Sequence, residues 1–184
     1  VIHGGGGADI INAAAGNDTV DYWGTEVSID GGAGTNTLVV RASATIDLTA
    51  PDQSAGDLAT VTNFQNVDGS GLTATQLIYV VGTSGTNIIT GGAGADIIDG
   101  GGGADVINAG AGNDTVTFHG TESSVDGGAG SDTLVLTGGS AVTAVNFAVV
   151  AGAVQTAGIT LSGTNLENLD GRALPTALAV TCSP

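Results

Sequence analysis

Apolar positions in this chain come as short runs with a polar residue on either side, set between glycine-rich breaks. Over residues 91–117 the runs DIID, DVIN and DTVT are separated by GGGGA and AGAGN, and they recur every nine residues. Runs this short cannot supply the apolar stripe of a helix, and so much glycine works against helix formation. A three- or four-residue strand with its middle residue turned inward fits them, with a tight turn before the next strand. The pattern predicts turn, strand, turn, strand, with two nonads completing one coil.

Four consecutive nonads run from Gly4 to Val39 and six from Gly82 to Val135, covering 36 and 54 residues of the 184. The eighth position is Ile11, Val20, Ile29, Leu38, Ile89, Ile98, Ile107, Val116, Val125 and Leu134, aliphatic in all ten, which predicts one buried row. A larger duplication lies above the small one. Residues Gly5–Val40 match Gly101–Leu136 at an offset of 96, and TNFQNVDGSGL (Thr62–Leu72) matches TNLENLDGRAL (Thr164–Leu174) at 102. The predicted order is therefore array 1 within 1–40, a β-rich spacer over 41–81, array 2 over 82–136, and a β-rich spacer or cap over 137–174. Residues 175–184 read as a tail or linker. The spacers, such as VVRASATIDL, favour β-branched residues and are expected to continue or cap the solenoid; their pattern also allows a short helix around Ala55–Thr60.

Composition narrows the fold. Aromatics are 3% of the chain and Met is absent, while Gly occurs 33 times. Small and β-branched residues must then fill a thin, flat interior. The predicted class is all-β, a right-handed parallel β-roll or β-solenoid.

Charge changes the picture further. Asp and Glu number 18 against two Arg, no Lys and two His, for a formal charge of −16. Such a chain repels itself in any compact state that cations do not neutralise. It lacks the basic groups that phosphate contacts need, which excludes nucleic acid as a partner. A single cysteine, Cys182, excludes an internal disulfide, and no apolar run reaches the length of a membrane span. Since the chain begins inside a repeat with no leader, it reads as a fragment of something longer.

The sixth position of each nonad carries the candidate chemistry. If nonads n and n+2 stack, Asn87, Asp105 and Ser123 line one edge of the second array, and Asp96, Asp114 and Asp132 line the other. In the first array the edges are Asp9 with Val27, and Asp18 with Asn36. Stacked carboxylates need a counter-charge. Ca²⁺ accepts six to eight oxygens in adaptable geometry, whereas Mg²⁺ demands a tight octahedron and Zn²⁺ prefers Cys and His. Backbone oxygens left bare by glycine complete the candidate set: the carbonyls of Gly92, Gly94, Gly101, Gly103, Gly110, Gly112, Gly128 and Gly130. Several Ca²⁺ ions are expected. No phosphate-binding loop, EF-hand or catalytic triad is present, and a row of equivalent carboxylates is not a unique active site. The expectation is that the chain is not an enzyme.

The blocks GGGGADIIN, GGAGADIID, GGGGADVIN and GGAGSDTLV resemble the RTX calcium-binding nonapeptide, G-G-x-G-x-D-x-U-x with U a large apolar residue. The resemblance implies a parallel β-roll with calcium between successive turns. It also implies export by type I secretion to the extracellular space or cell surface, with folding after export. Two departures stand out. Asn36 and Asn87 replace Asp, and YWGTEVSID and FHGTESSVD lose the pattern while sharing aromatics and a glutamate. Those two blocks read as turns widened by rigid aromatics or as a small contact patch. The function expected is a calcium-folded structural or interaction segment of an S-layer, adhesin or filament-type protein, with copies of itself or other surface components as partners. The alternative is the calcium-dependent secretion and folding module of an RTX lipase, protease, epimerase or toxin.

Overall fold

The computed structural model describes residues 1–137 and, between 138 and 184, the backbone of six strands. The first array forms β1 (Ile10–Asn12), β2 (Thr19–Tyr22), β3 (Ser28–Asp30) and β4 (Thr37–Val40). The spacer forms β5 (Ala44–Asp47), β6 (Ser54–Ala55), β7 (Thr60–Thr62), β8 (Asn66–Asp68) and β9 (Ile78–Val81). The second array forms β10 (Ile88–Thr90), β11 (Ile97–Asp99), β12 (Val106–Asn108), β13 (Ala111–Gly112), β14 (Thr115–Phe118), β15 (Ser124–Asp126), β16 (Ala129–Gly130) and β17 (Thr133–Leu136). Beyond these lie β18 (Ala144–Ala148), β19 (Val154–Thr156), β20 (Ile159–Thr160), β21 (Ser162–Thr164), β22 (Asn168–Asp170) and β23 (Ala179–Ser183).

Successive strands go to opposite faces, as the nine-residue period dictates. One face is the seven-stranded sheet β2-β4-β8-β10-β12-β15-β21. The other carries β1-β3-β7 and then the sheet β22-β17-β14-β11-β9-β5-β6. Within the arrays the pairing is parallel with an 18-residue shift: Ile11 opposite Ile29, Val20 opposite Leu38, Ile98 opposite Val116, Ile107 opposite Val125. Nonads n and n+2 therefore stack, and about seven coils result. All ten eighth positions are buried, each with 8% exposure or less. The seventh residues point outward, so Ile10, Ile88, Ile97 and Val106 are exposed.

The spacer breaks the period without leaving the solenoid. Strand β8 pairs with β4 through Leu38 opposite Val67, and with β10 through Val67 opposite Ile89. Strand β7 pairs with β3, and β9 joins β5 to β11. The only antiparallel element among residues 1–137 is the β5–β6 hairpin. No helix forms around Ala55–Thr60. Asp57 folds back across that stretch and accepts the Ala59 N–H and the Ser54 hydroxyl, which holds a bend between β6 and β7. Strand β23 pairs in parallel with β18, in the four-stranded sheet β20-β19-β18-β23. Among the described residues no helix is long and apolar enough to cross a membrane.

Candidate metal centres in the turns

Several turns are launched by a polar residue at the ninth position. Asp30, Asp99 and Asp126 each accept the N–H two residues on, at 2.8, 2.8 and 3.1 Å, and Asn12 does the same at 2.9 Å. This side-chain-to-backbone bond mimics a backbone turn and fixes where the strand stops. Glycine then lets consecutive turns touch. Gly128 and Gly130 have φ of 90° and 143°, and a Cβ on them would lie 1.7 and 1.5 Å from the carbonyl oxygens of Gly110 and Gly112 one coil back. No side chain fits in that gap, so backbone oxygens line the turns coil after coil.

The sixth-position aspartates of the second array point into these turns and follow one rule. One carboxylate oxygen accepts the N–H of the equivalent residue a coil earlier. Asp105 Oδ1 takes Asn87 N–H at 2.8 Å, Asp114 Oδ1 takes Asp96 N–H at 2.7 Å, and Asp132 Oδ1 takes Asp114 N–H at 2.8 Å. Asp96 closes the end of its row, accepting Ile78 N–H with one oxygen and Gly92 N–H with the other. On Asp9, Asp18, Asp105 and Asp114 the second oxygen is buried and has no hydrogen-bond partner. A buried carboxylate oxygen left unpaired is costly. Burial accordingly pushes Asp105 and Asp114 up to about 6, against the relief given by the Asn87 and Asp96 N–H groups. For Asp114 the neighbouring charges of Asp132 and Asp96 add to the upward push, and for Asp105 those of Glu122 and Asp99 do so. Burial also raises Asp96.

Among the described residues no three His, Cys, Asp or Glu side chains converge on one point. A cation in these turns must therefore take most of its ligands from the backbone. An orphaned carboxylate oxygen beside rows of exposed carbonyls is an all-oxygen donor set with flexible geometry, which suits Ca²⁺ and not Zn²⁺. A model of the RTX calcium-binding nonapeptide repeat, four copies long, matches residues 1–22, 81–116 and 123–140. The chain carries RTX calcium-binding repeats. RTX repeats bind Ca²⁺ in their turns and are typical of type I-secreted extracellular proteins. No curated protein and no solved structure matches the chain.

The RTX rows are not two separate pairs of edges. Asp18, Asn36, Gln65, Asn87, Asp105 and Ser123 occupy equivalent places along one continuous sheet, because β8 carries Gln65 into line between the arrays. Asp9 is followed in its row by Val27 and then Ala59. Asp96, Asp114 and Asp132 continue a row that runs through Ala44 and Ile78. The degenerate turns are held by their own glutamates. Glu26 accepts the N–H groups of Trp23 and Thr25, and Glu122 those of His119, Gly120 and Thr121, all between 2.7 and 3.0 Å. Tyr22 and Phe118 are buried in the core, and the Tyr22 hydroxyl donates to Asp57.

The reading of the nonad overlooks the ninth-position bonds, the buried glutamates and Gln65. The first two had a signal: Asp or Asn two residues before the second-position residue, and Glu at the fifth position of both degenerate blocks. Charge at the strand ends is handled apart from the turns. Arg41 and His3 meet Asp21 at 2.8 and 2.5 Å, and His119 meets Asp99 at 2.7 Å. Burial raises Asp21, but the His3 and Arg41 bonds outweigh it and hold the carboxyl below its ordinary value.

Proposed function

We propose that this chain is a calcium-folded structural or interaction segment of a cell-surface or extracellular-matrix protein, of S-layer, adhesin or filament type, exported by type I secretion and without catalytic activity of its own. The observation that carries it is the set of orphaned buried oxygens on Asp9, Asp18, Asp105 and Asp114. A folded chain of charge −16 that leaves carboxylates buried in this way needs cations to hold it together. The residues that would hold Ca²⁺ are Asp96, Asp114 and Asp132 on one edge, Asp18 and Asp105 on the continuous sheet, and Asp9 at the first coil, each with glycine carbonyls of its turn. Bound Ca²⁺ would supply the positive charge that the rows lack.

The test is Ca²⁺ titration into the chelated chain, with circular dichroism and particle size followed together. The expected outcome is a gain of β-structure at millimolar Ca²⁺, accompanied by growth into larger particles. An unchanged spectrum would refute the calcium ligands. A gain of β-structure without growth would sink the filament reading in favour of a secretion and folding module attached to an enzyme or toxin.

A further inference from the structure

The metal-type aspartates avoid the middle of the molecule. Three consecutive coils, β3/β4, β7/β8 and β9/β10, carry Val27, Ala59 and Ile78 at the sixth position on one edge and Asn36, Gln65 and Asn87 on the other. None of the six is a carboxylate. The family match omits residues 23–80, which includes most of this stretch.

The amides replace the ion as well as the charge. Asn36 Oδ1 accepts Asp18 N–H at 2.9 Å, the same bond that an aspartate makes in the acidic rows. The rest of the side chain differs. Asn36 Nδ2 donates to the carbonyls of Gly32 and Asn63 at 3.2 and 2.9 Å, where Asp114 has an unpaired oxygen. Gln65 Oε1 accepts Asn36 N–H at 2.7 Å, and Asn87 Nδ2 donates to the Gln65 carbonyl. Asn87 Oδ1 accepts both Thr83 N–H and the Thr83 hydroxyl, at 2.7 and 3.0 Å. Asn36 and Asn87 are fully buried, neutral and satisfied at both ends of the amide. An N–H pair that donates into the carbonyl rim does what a cation would do there, without a charge to bury.

On the other edge, Glu26 closes the Val27 turn from within, while Ala59 and Ile78 are buried apolar residues. The interior between the edges is filled by Phe64, Leu48 and Leu72, all buried. Buried Gln53 satisfies Phe64 N–H and the carbonyls of Leu48 and Phe64.

We infer that these three coils are a calcium-independent core, held by an amide row and an apolar interior, on which the calcium-dependent coils at either end assemble. This rests on the ligand assignment above, and the experiment separates failure of one from failure of the other. Amide hydrogen exchange is measured on the full chain in saturating Ca²⁺ and in excess chelator. In chelator, Leu38, Val67, Val80 and Ile89 are expected to exchange at least about tenfold more slowly than Ile107, Val116 and Leu134; in Ca²⁺ both sets are protected. Loss of both sets together in chelator would overturn the independent core and leave the calcium ligands standing. Protection of both sets in chelator would remove the calcium assignment and the core with it. The double variant Asn36→Asp/Asn87→Asp then tests the amides. Its central coils should lose protection in chelator and recover it in Ca²⁺. Unchanged protection in chelator, or none even in Ca²⁺, would overturn the role given to the amide row.

Discussion

The row Asp96–Asp114–Asp132 and the row Asn36–Gln65–Asn87 stand in the same solenoid, at the same place in the turn; Asn36 and Gln65 accept the N–H of the coil before them as the aspartates do, while Asn87 donates Nδ2 to the Gln65 carbonyl. They differ by a carboxylate oxygen against an amide nitrogen. In the acidic row the backbone geometry is complete but the electrostatics are not: Asp114 is driven up to about 6 by burial and by its neighbours' charge. In the amide row both are complete. One scaffold thus holds turns built around carboxylates and turns closed by side-chain amides.

The largest way to break the comparison is to remove the backbone contact that both rows share. Gly130→Ala sets a Cβ 1.5 Å from the Gly112 oxygen at φ 143°. It should cost about 3 kcal/mol or more in Ca²⁺-saturated urea unfolding, from clash and strain together. Gly102→Ala, whose Cβ would meet nothing closer than Ser84 Cα at 3.7 Å, should stay within about 0.5 kcal/mol. Equal costs would mean that the turns are not in contact.

Next in size is Asn87→Ala. It leaves the Gln65 carbonyl and Thr83 N–H without their partner, for a loss of about 1–3 kcal/mol measured in chelator. The Ca²⁺ midpoint should hardly move. Asp114→Ala should do the reverse, raising the Ca²⁺ midpoint by about tenfold, equivalent to 1.4 kcal/mol. Asp9→Ala should raise it less, because the coil stacked on Asp9 carries Val27 and no second carboxylate. Equal midpoints for the two aspartate variants would contradict the stacking of acidic partners.

The smallest effect is that of pH. Burial pushes Asp105 and Asp114 up to about 6, above their ordinary value of 3.8. The folded state therefore binds more protons than the unfolded one between those values, and metal-free stability falls as pH rises through that window. Ca²⁺ must displace those protons, so its midpoint should fall with rising pH up to about 6 and then level off. A midpoint constant from pH 5 to 7 would show that these two carboxylates are not ligands.

Much of this was legible in the sequence because it is periodic. The eighth-position aliphatics, the 18-residue stacking and the two acidic edges all follow from a nine-residue pattern with alternating faces. The linkage between the arrays was not, because β8 reaches its neighbours across shifts of 29 and 22 residues that no repeat announces. Gln65 looks like one polar residue among many until β8 is aligned with β4 and β10. Asn36 and Asn87 read as weakened aspartates; only their Nδ2 partners reveal a replacement for the ion. Glu26 and Glu122 resemble surface acids, yet they are buried because their turns offer two or three N–H groups each.

The ninth-position bonds carry a consequence for the chain before it folds. They join a side chain to a backbone group two residues away, so they need neither a neighbouring coil nor a cation. A chain transiently bent at Asp30, Asp99 and Asp126 already has some of its final corners in place. Ordering a residue's backbone costs about 1–2 kcal/mol, and every corner formed in advance removes part of that cost from the moment of assembly. Less free energy then has to come from the ion, and coils can close in quick succession once the first has formed.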